Sequence, residues 1–256
     1  MSKTITIIGL TSFPIVKEGD NIAKLIFTAL NREHVTLNEG DIVVVAHKVV
    51  SKAEGRTVDL KDVKPSKGAR EIAKVTGKDP RLTEVILRET KRIVKATPEI
   101  LIVENKQGHV CINAAVDKSN VEGTDTYLLL PEDPDRSAKQ IRSEIMKLTG
   151  KKVAVLISDT YSRPFRRGQV EFTVGIAGMD PFKDYRGKKD LFDYELKVKN
   201  TAVADEITSA AELVMGQGDE GTPVAIIKNL QVQSREQASA NDLLISRNED
   251  LFKGAL

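Results

Sequence analysis

The chain has no tryptophan, one cysteine and three histidines among its 256 residues, and aromatic side chains make up only 4% of it. Each shortage removes a class of function. A single thiol, Cys111, cannot close an intrachain disulfide and offers no thiolate cluster for zinc or iron–sulfur, so it reads as a small packed side chain in a strand. His34, His47 and His109 stand singly and make no metal-ligand pattern. A strong charge of either sign is missing too. With a formal net charge of +2 and so few aromatics, neither a dedicated nucleic-acid binder nor a membrane-surface protein is expected. No apolar run approaches membrane-spanning length, and the amino terminus reads as a strand, not as a secretory signal. A cytoplasmic protein is expected. There is no Walker loop, and the glycines do not form a dinucleotide fingerprint.

An apolar fraction of 40% and a charged fraction of 30% are those of a soluble globular protein, and abundant lysine, glutamate and arginine lean towards heat adaptation. The length is generous for one core and comfortable for two. There is no linker, repeat or low-complexity tract. A single unit over residues 1–256 is therefore expected, with any subdomain, around 80–170, woven into it.

Strands are expected at Ile5–Leu10, Ile42–Val50, Ile100–Glu104, His109–Ala114, Tyr127–Leu130, Val153–Ile157, Val170–Ile176, Glu195–Lys199 and Pro223–Ile227. Asp20 is placed to cap a helix carrying Ile22, Leu25, Ile26, Ala29 and Leu30. Further helices are expected over Ser66–Val75, from Asp79-Pro80 through Ile93 to a stop at Pro98, and from a Ser137/Gln140 capping box to Gly150. Another runs through Val203, Ile207, Ala211 and Val214 to Gly216, and the tail reads as helical. Helices and strands mix without a steady β-α-β rhythm. That favours an α+β fold of mixed sheets with flanking helices.

Ser158-Asp159-Thr160-Tyr161-Ser162-Arg163-Pro164-Phe165-Arg166-Arg167-Gly168 follows directly on the Val153–Ile157 strand. A carboxylate and a hydroxyl at a strand's carboxyl end, followed by three arginines, suit a divalent cation beside phosphate or carboxylate oxygens. A strand-capping Asp followed by a solvated basic loop explains the same residues. Gly216-Gln217-Gly218-Asp219-Glu220-Gly221-Thr222 comes after a helix, where the dipole presents carbonyls. A hard metal bridging to phosphate suits it better than a bare anion, and a helix C-cap with an acidic turn is the plainer reading. Asn113–Asn120 centres on Asp117, as an oxygen-ligand exit or an Asx-turn. His47-Lys48 with Ser51 and Lys52 puts cations in an apolar strand, for anion binding or edge protection. Together these clusters fit hard-metal phosphoryl chemistry.

In this order the segments resemble the coenzyme F420-0:L-glutamate ligase family. The resemblance runs from the Pro14 loop to about Leu230. It is carried by Phe13-Pro14 with Lys17-Glu18-Gly19-Asp20, Ser51–Gly55, Asn113–Val121, Asp159 with Arg163 and Phe165–Gly168, and Met215-Gly216-Gln217-Gly218. It implies a GTP-dependent enzyme that adds γ-linked glutamates to F420-0 and releases GDP and phosphate. By that resemblance Ser12, Phe13, Pro14, Ile15, His47, Lys48, Lys52, Asn120 and the loop Met215, Gly216, Gln217, Gly218, Asp219, Glu220, Gly221 and Thr222 line the GTP site. Asp117, Asp159, Thr160 and Gln217 would bind two divalent ions, manganese or magnesium, with potassium as a further ion. The family pattern has small hydroxyl residues where this chain has His47-Lys48. The implied fold is an intertwined homodimer of α+β chains with two interwoven subdomains, without the flavin reductase domain some bacterial relatives carry. The implied mechanism passes through an acyl phosphate. Arg163, Arg166 and Arg167 are assigned by charge alone to holding the phosphorylated intermediate or the anionic substrates. Rival readings are another metal-dependent nucleotide hydrolase or acid–amine ligase, and an RNA-binding module built on the three arginines.

Overall fold

Ile42-Val43-Val44-Val45 is apolar at every position, a pattern for a strand covered on both faces. The computed structural model, which describes residues 3–246 and 248–250, puts it at the centre of a five-stranded sheet. In chain order the elements are β1 (Thr6–Gly9), α1 (Ile22–Arg32), β2 (Ile42–Ala46), α2 (His47–Ala53), β3 (Thr57–Asp59), α3 (Lys67–Thr76), α4 (Pro80–Arg88), β4 (Thr90–Thr97), β5 (Ile100–Asn105), β6 (Val110–Ile112), β7 (Thr126–Leu128), α5 (Pro134–Thr149), β8 (Ala154–Ser162), β9 (Gln169–Ala177), β10 (Lys183–Asp184), β11 (Asn200–Thr201), α6 (Val203–Met215) and β12 (Val224–Lys228). The main sheet runs β1-β12-β2-β8-β9, with β2 and β8 parallel and the other neighbours antiparallel. Smaller sheets pair β3 with β7, β10 with β11, and β4-β5-β6. The fold is α+β with mixed sheets and flanking helices, as expected.

Side chains alternate across the main sheet. Val43, Val45, Val155 and Ile157 face one core with Ile22, Ile26 and Leu30 of α1 and Ile141 and Ile145 of α5. Ile42, Val44, Leu156 and Ile227 face the other with Ile207, Ala211 and Met215 of α6. Each such buried side chain stabilises the fold by roughly 1.5 to 3 kcal/mol. A third cluster is separate: Leu60, Val63, Val85, Ile86, Leu101, Val103, Val116 and Leu129, from the chain between α2 and α5.

Several local expectations are corrected. The strand from Ile42 stops at Ala46 and turns into α2 at His47, because Val49, Val50 and Ala53 recur at helical spacing against the first core. Asn21, not Asp20, caps α1 by accepting from Lys24 N–H, while Asp20 accepts from Lys17 N–H. The Asp79-Pro80 helix ends at Arg88, and Ile93 lies in β4, paired across to Val103. Asp133 with Pro134 starts α5 ahead of Ser137, whose hydroxyl instead bonds Glu54 and the Asp133 carbonyl. Glu195–Lys199 forms a single bridge, Lys189 to Glu195, and no strand; Val198, 88% exposed, has no face to bury. The tail has a short 3-10 turn at Ala240–Leu243, and residues 251–256 lie outside the described residues. Among the described residues no helix is long and apolar enough to cross a membrane.

Candidate active site

The site grows from the place where β2 stops. Ala46 pairs with Ser158, so Asp159 is the first residue of β8 beyond its parallel neighbour, and β8 and β9 run on as a two-stranded overhang. Chain reversal into α2 aims its first two side chains at that overhang and at the loop after β6. His47 is 2% exposed, with Nε2 3.2 Å from Asp159 Oδ1 and Nδ1 3.3 Å from Ser51 Oγ one turn on. Lys48 Nζ lies 2.7 Å from Asp117 Oδ2 and also bonds the Ser119 hydroxyl. Burial alone would push the Asp117 carboxyl up; Lys48 and the two bonds from Ser119 outweigh it and hold it below the usual range. Consecutive residues of one helical turn thus reach aspartates that are far apart in sequence.

Asp117 is delivered by an unusual turn. Asn113, Ala114 and Ala115 all have φ between 54° and 60°, a left-handed run that L side chains disfavour. Val116 from the same segment anchors it in the third core.

The loop after α6 forms the opposite wall. Gly216 has φ 71°, and a Cβ there would lie 2.2 Å from Glu220 Cδ, so only glycine lets that carboxylate fold under the loop. Glu220 Oε2 accepts from Gly218 N–H at 2.7 Å. Asn120 Nδ2 donates to the Gly218 carbonyl at 3.0 Å and ties the two loops together. Gln217 Nε2 donates to Glu171 Oε1 at 2.7 Å and to Glu212 Oε1 at 2.9 Å. Thr160 Oγ stands 2.9 Å from Glu171 Oε1 and 3.0 Å from Gln217 Oε1. Burial pushes the Glu171 carboxyl up, and the donors around it oppose this without reversing it. The buried Ser158 hydroxyl eases that ionisation yet makes no well-formed hydrogen bond.

These walls enclose a cavity of about 710 Å³, a size that suits a nucleotide. Phe13, Pro14 and Ile15, His47, Lys48 and Lys52, Asn120, and the whole loop from Met215 to Thr222 line it, together with Asp159 and Thr160. Ser12 does not; its N–H is held by Glu33. Asp117 stands behind Lys48, outside the lining. Arg163, Arg166 and Arg167 are also outside it, in the connection between β8 and β9, where Arg163 donates to the Arg167 carbonyl. Burial and repulsion from Lys48 both lower the Lys52 pKa, and Glu122 partly offsets them. Glu171, Glu212 and Glu122 line the cavity without having been singled out in the sequence.

Among the described residues no three His, Cys, Asp or Glu side chains group as a metal site. A hard-ion set with neutral oxygens is a different case. Both Gln217 amide protons are spent on glutamates, and Thr160 has one proton for two acceptors. Lone pairs therefore outnumber protons beside Asp159, an imbalance that a hard cation or an added proton relieves. Asp159, Thr160 and Gln217 fit a divalent ion by donor chemistry; Asp117 is instead engaged by Lys48.

The profile of the family described as F420-0:Gamma-glutamyl ligase matches residues 11–229. The chain is 45% identical over 252 residues to a coenzyme F420:L-glutamate ligase of Methanothermobacter thermautotrophicus, covering 98% of this chain and 99% of that protein. A protein of the same name from Methanocaldococcus jannaschii is 44% identical over 253 residues, covering 98% of each chain. One from Archaeoglobus fulgidus is 40% identical over 252 residues, again with 98% of each covered. With its oxygen-rich cavity and its match along nearly the whole chain, the protein belongs to the F420-0:gamma-glutamyl ligase family.

Proposed function

We propose that this enzyme adds L-glutamate to coenzyme F420-0 at the expense of GTP, building up a tail of γ-linked glutamates. Family membership and the names of the relatives support the glutamate ligation. The observation that carries the nucleotide part is the cavity, lined by a hydrogen-bonded set of carboxylate, hydroxyl and amide oxygens and by two lysines. A carboxylate oxygen of F420-0 attacks the γ-phosphorus, the bond to the β-phosphate oxygen breaks, and GDP leaves. The α-amino nitrogen of glutamate then attacks the acyl carbon; the carbon–oxygen bond to phosphate breaks and the nitrogen sheds a proton. Lys48 and Lys52 offset triphosphate charge, and the Phe13-Pro14-Ile15 loop with the Met215–Thr222 loop holds the nucleoside and its phosphates. Manganese or magnesium held by Asp159, Thr160, Gln217 and Asp117 would supply charge neutralisation for the phosphate oxygens, with potassium as a further ion. Arg163, Arg166 and Arg167, in the connection between β8 and β9, serve anionic substrate ends in this reading. The enzyme works as a cytoplasmic homodimer in this reading.

Incubation with GTP, manganese, L-glutamate and F420-0 should yield GDP and a coenzyme heavier by one glutamyl unit by mass spectrometry. GDP release without that product would make the protein a hydrolase. Asp159→Asn should abolish turnover and retain the circular dichroism spectrum of the native fold; full activity at limiting manganese would remove Asp159 from the site.

A further inference from the structure

We propose that Glu171 is a positioning residue that fixes the Thr160 hydroxyl and the Gln217 carboxamide in the orientation the site needs. The inference rests on the ligase reading above for its purpose, but not for its geometry. A carboxylate 6% exposed within a strand is costly unless something uses it, since packing alone would favour an apolar side chain there. Here one oxygen, Oε1, meets both Thr160 Oγ at 2.9 Å and Gln217 Nε2 at 2.7 Å. Glu212 takes the second Gln217 amide proton at 2.9 Å. With both protons held, the carboxamide cannot flip, and Oε1 of Gln217 is left facing Thr160 at 3.0 Å. An amide free to turn would present a donor to a cation half the time.

The support for Glu171 is itself rigid. Its carbonyl accepts from Ser209 Oγ at 2.7 Å, and Asp205 Oδ1 takes the Thr173 N–H at 2.9 Å. The outer edge of β9 is thereby stitched to α6, the helix that carries Glu212 and leads into Gln217. Residues that orient metal ligands typically change metal affinity ten- to a hundredfold when lost.

The test compares wild type, Glu171→Ala and Glu171→Gln. A glutamine keeps an acceptor oxygen in the same place, so it should hold both partners. Manganese binding, followed by electron paramagnetic resonance with and without GDP, should weaken at least about tenfold in E171A and stay within about threefold in E171Q. In steady-state ligation, kcat in E171A should fall and recover in E171Q. Selective ¹⁵N-glutamine labelling gives a readout free of metal and substrate: the Gln217 amide protons should exchange faster in E171A. An unchanged amide signal in E171A would overturn the proposal, as would unchanged manganese affinity despite a freed amide. A loss in E171Q as deep as in E171A would overturn it too, by assigning the effect to charge. If wild type performs no ligation, the ligase reading fails, and the amide measurement still decides the clamp.

Discussion

The thiol of Cys111 shows how much a single environment decides. Burial, with the Asp159 charge adding to it, pushes its pKa up to about 12. At pH 8 the thiolate fraction should then be lower by about three orders of magnitude than for an exposed cysteine of ordinary pKa. Reaction with iodoacetamide should be slower by a similar factor in the folded protein and reach the free-thiol rate in denaturant, as followed by mass spectrometry. Rapid labelling of native protein would contradict the packed role read from its place in a strand. Other residues were less legible. Asp159 and Thr160 announced themselves by following an apolar run, whereas Glu171 did not. The pairing of β8 with β9 shifts register between Ile157 and Ser158, and that irregularity is what sets Glu171 opposite Thr160. An unshifted hairpin would have put Phe172 there. No pattern in the sequence reveals such a slip, because a bulge costs one residue and leaves the alternation of both strands intact on either side.

Elements were legible where period and punctuation agreed. α3 and α6 end at Gly77 and Gly216 as their sequences indicate, and β12 is the apolar run it looks like. β2 and α2 were not separable, because a strand buried on both faces and a short amphipathic helix share the composition Val-Val-Ala-His-Lys-Val-Val. The left-handed run at Asn113–Ala115 was equally invisible, since alanine carries no signal for positive φ. Ala115→Gly should relieve that conformation and raise stability by about 1 kcal/mol in urea denaturation. Gly175 is the converse. A Cβ there would sit 2.5 Å from the Pro134 carbonyl oxygen, where the first turn of α5 crosses β9. Gly175→Ala should lower stability by roughly 2 to 3 kcal/mol, because the clash is with backbone that cannot rotate away. Equal midpoints for wild type and G175A would show that α5 can shift.

At the scale of the molecule, the class of fold followed from the absence of a β-α-β rhythm, but strand order did not. β1 near the amino terminus pairs with β12 near residue 225, a partnership no local pattern encodes. The hairpin between β10 and β11 carries Leu191, 97% exposed, and Phe192, 91% exposed, on a single chain. The proposed homodimer would cover such side chains. Sedimentation velocity should give a dimer for wild type and a monomer for the double variant Leu191→Glu, Phe192→Glu. A wild-type monomer at micromolar concentration would end the dimer reading. One further consequence comes from the opening turn of α2. His47 touches an aspartate seated on the main sheet, and Lys48 touches one anchored in the separate third core. One turn of α2 thus ties two separate hydrophobic cores together, so a disturbance of either core reaches the other through these two adjacent side chains.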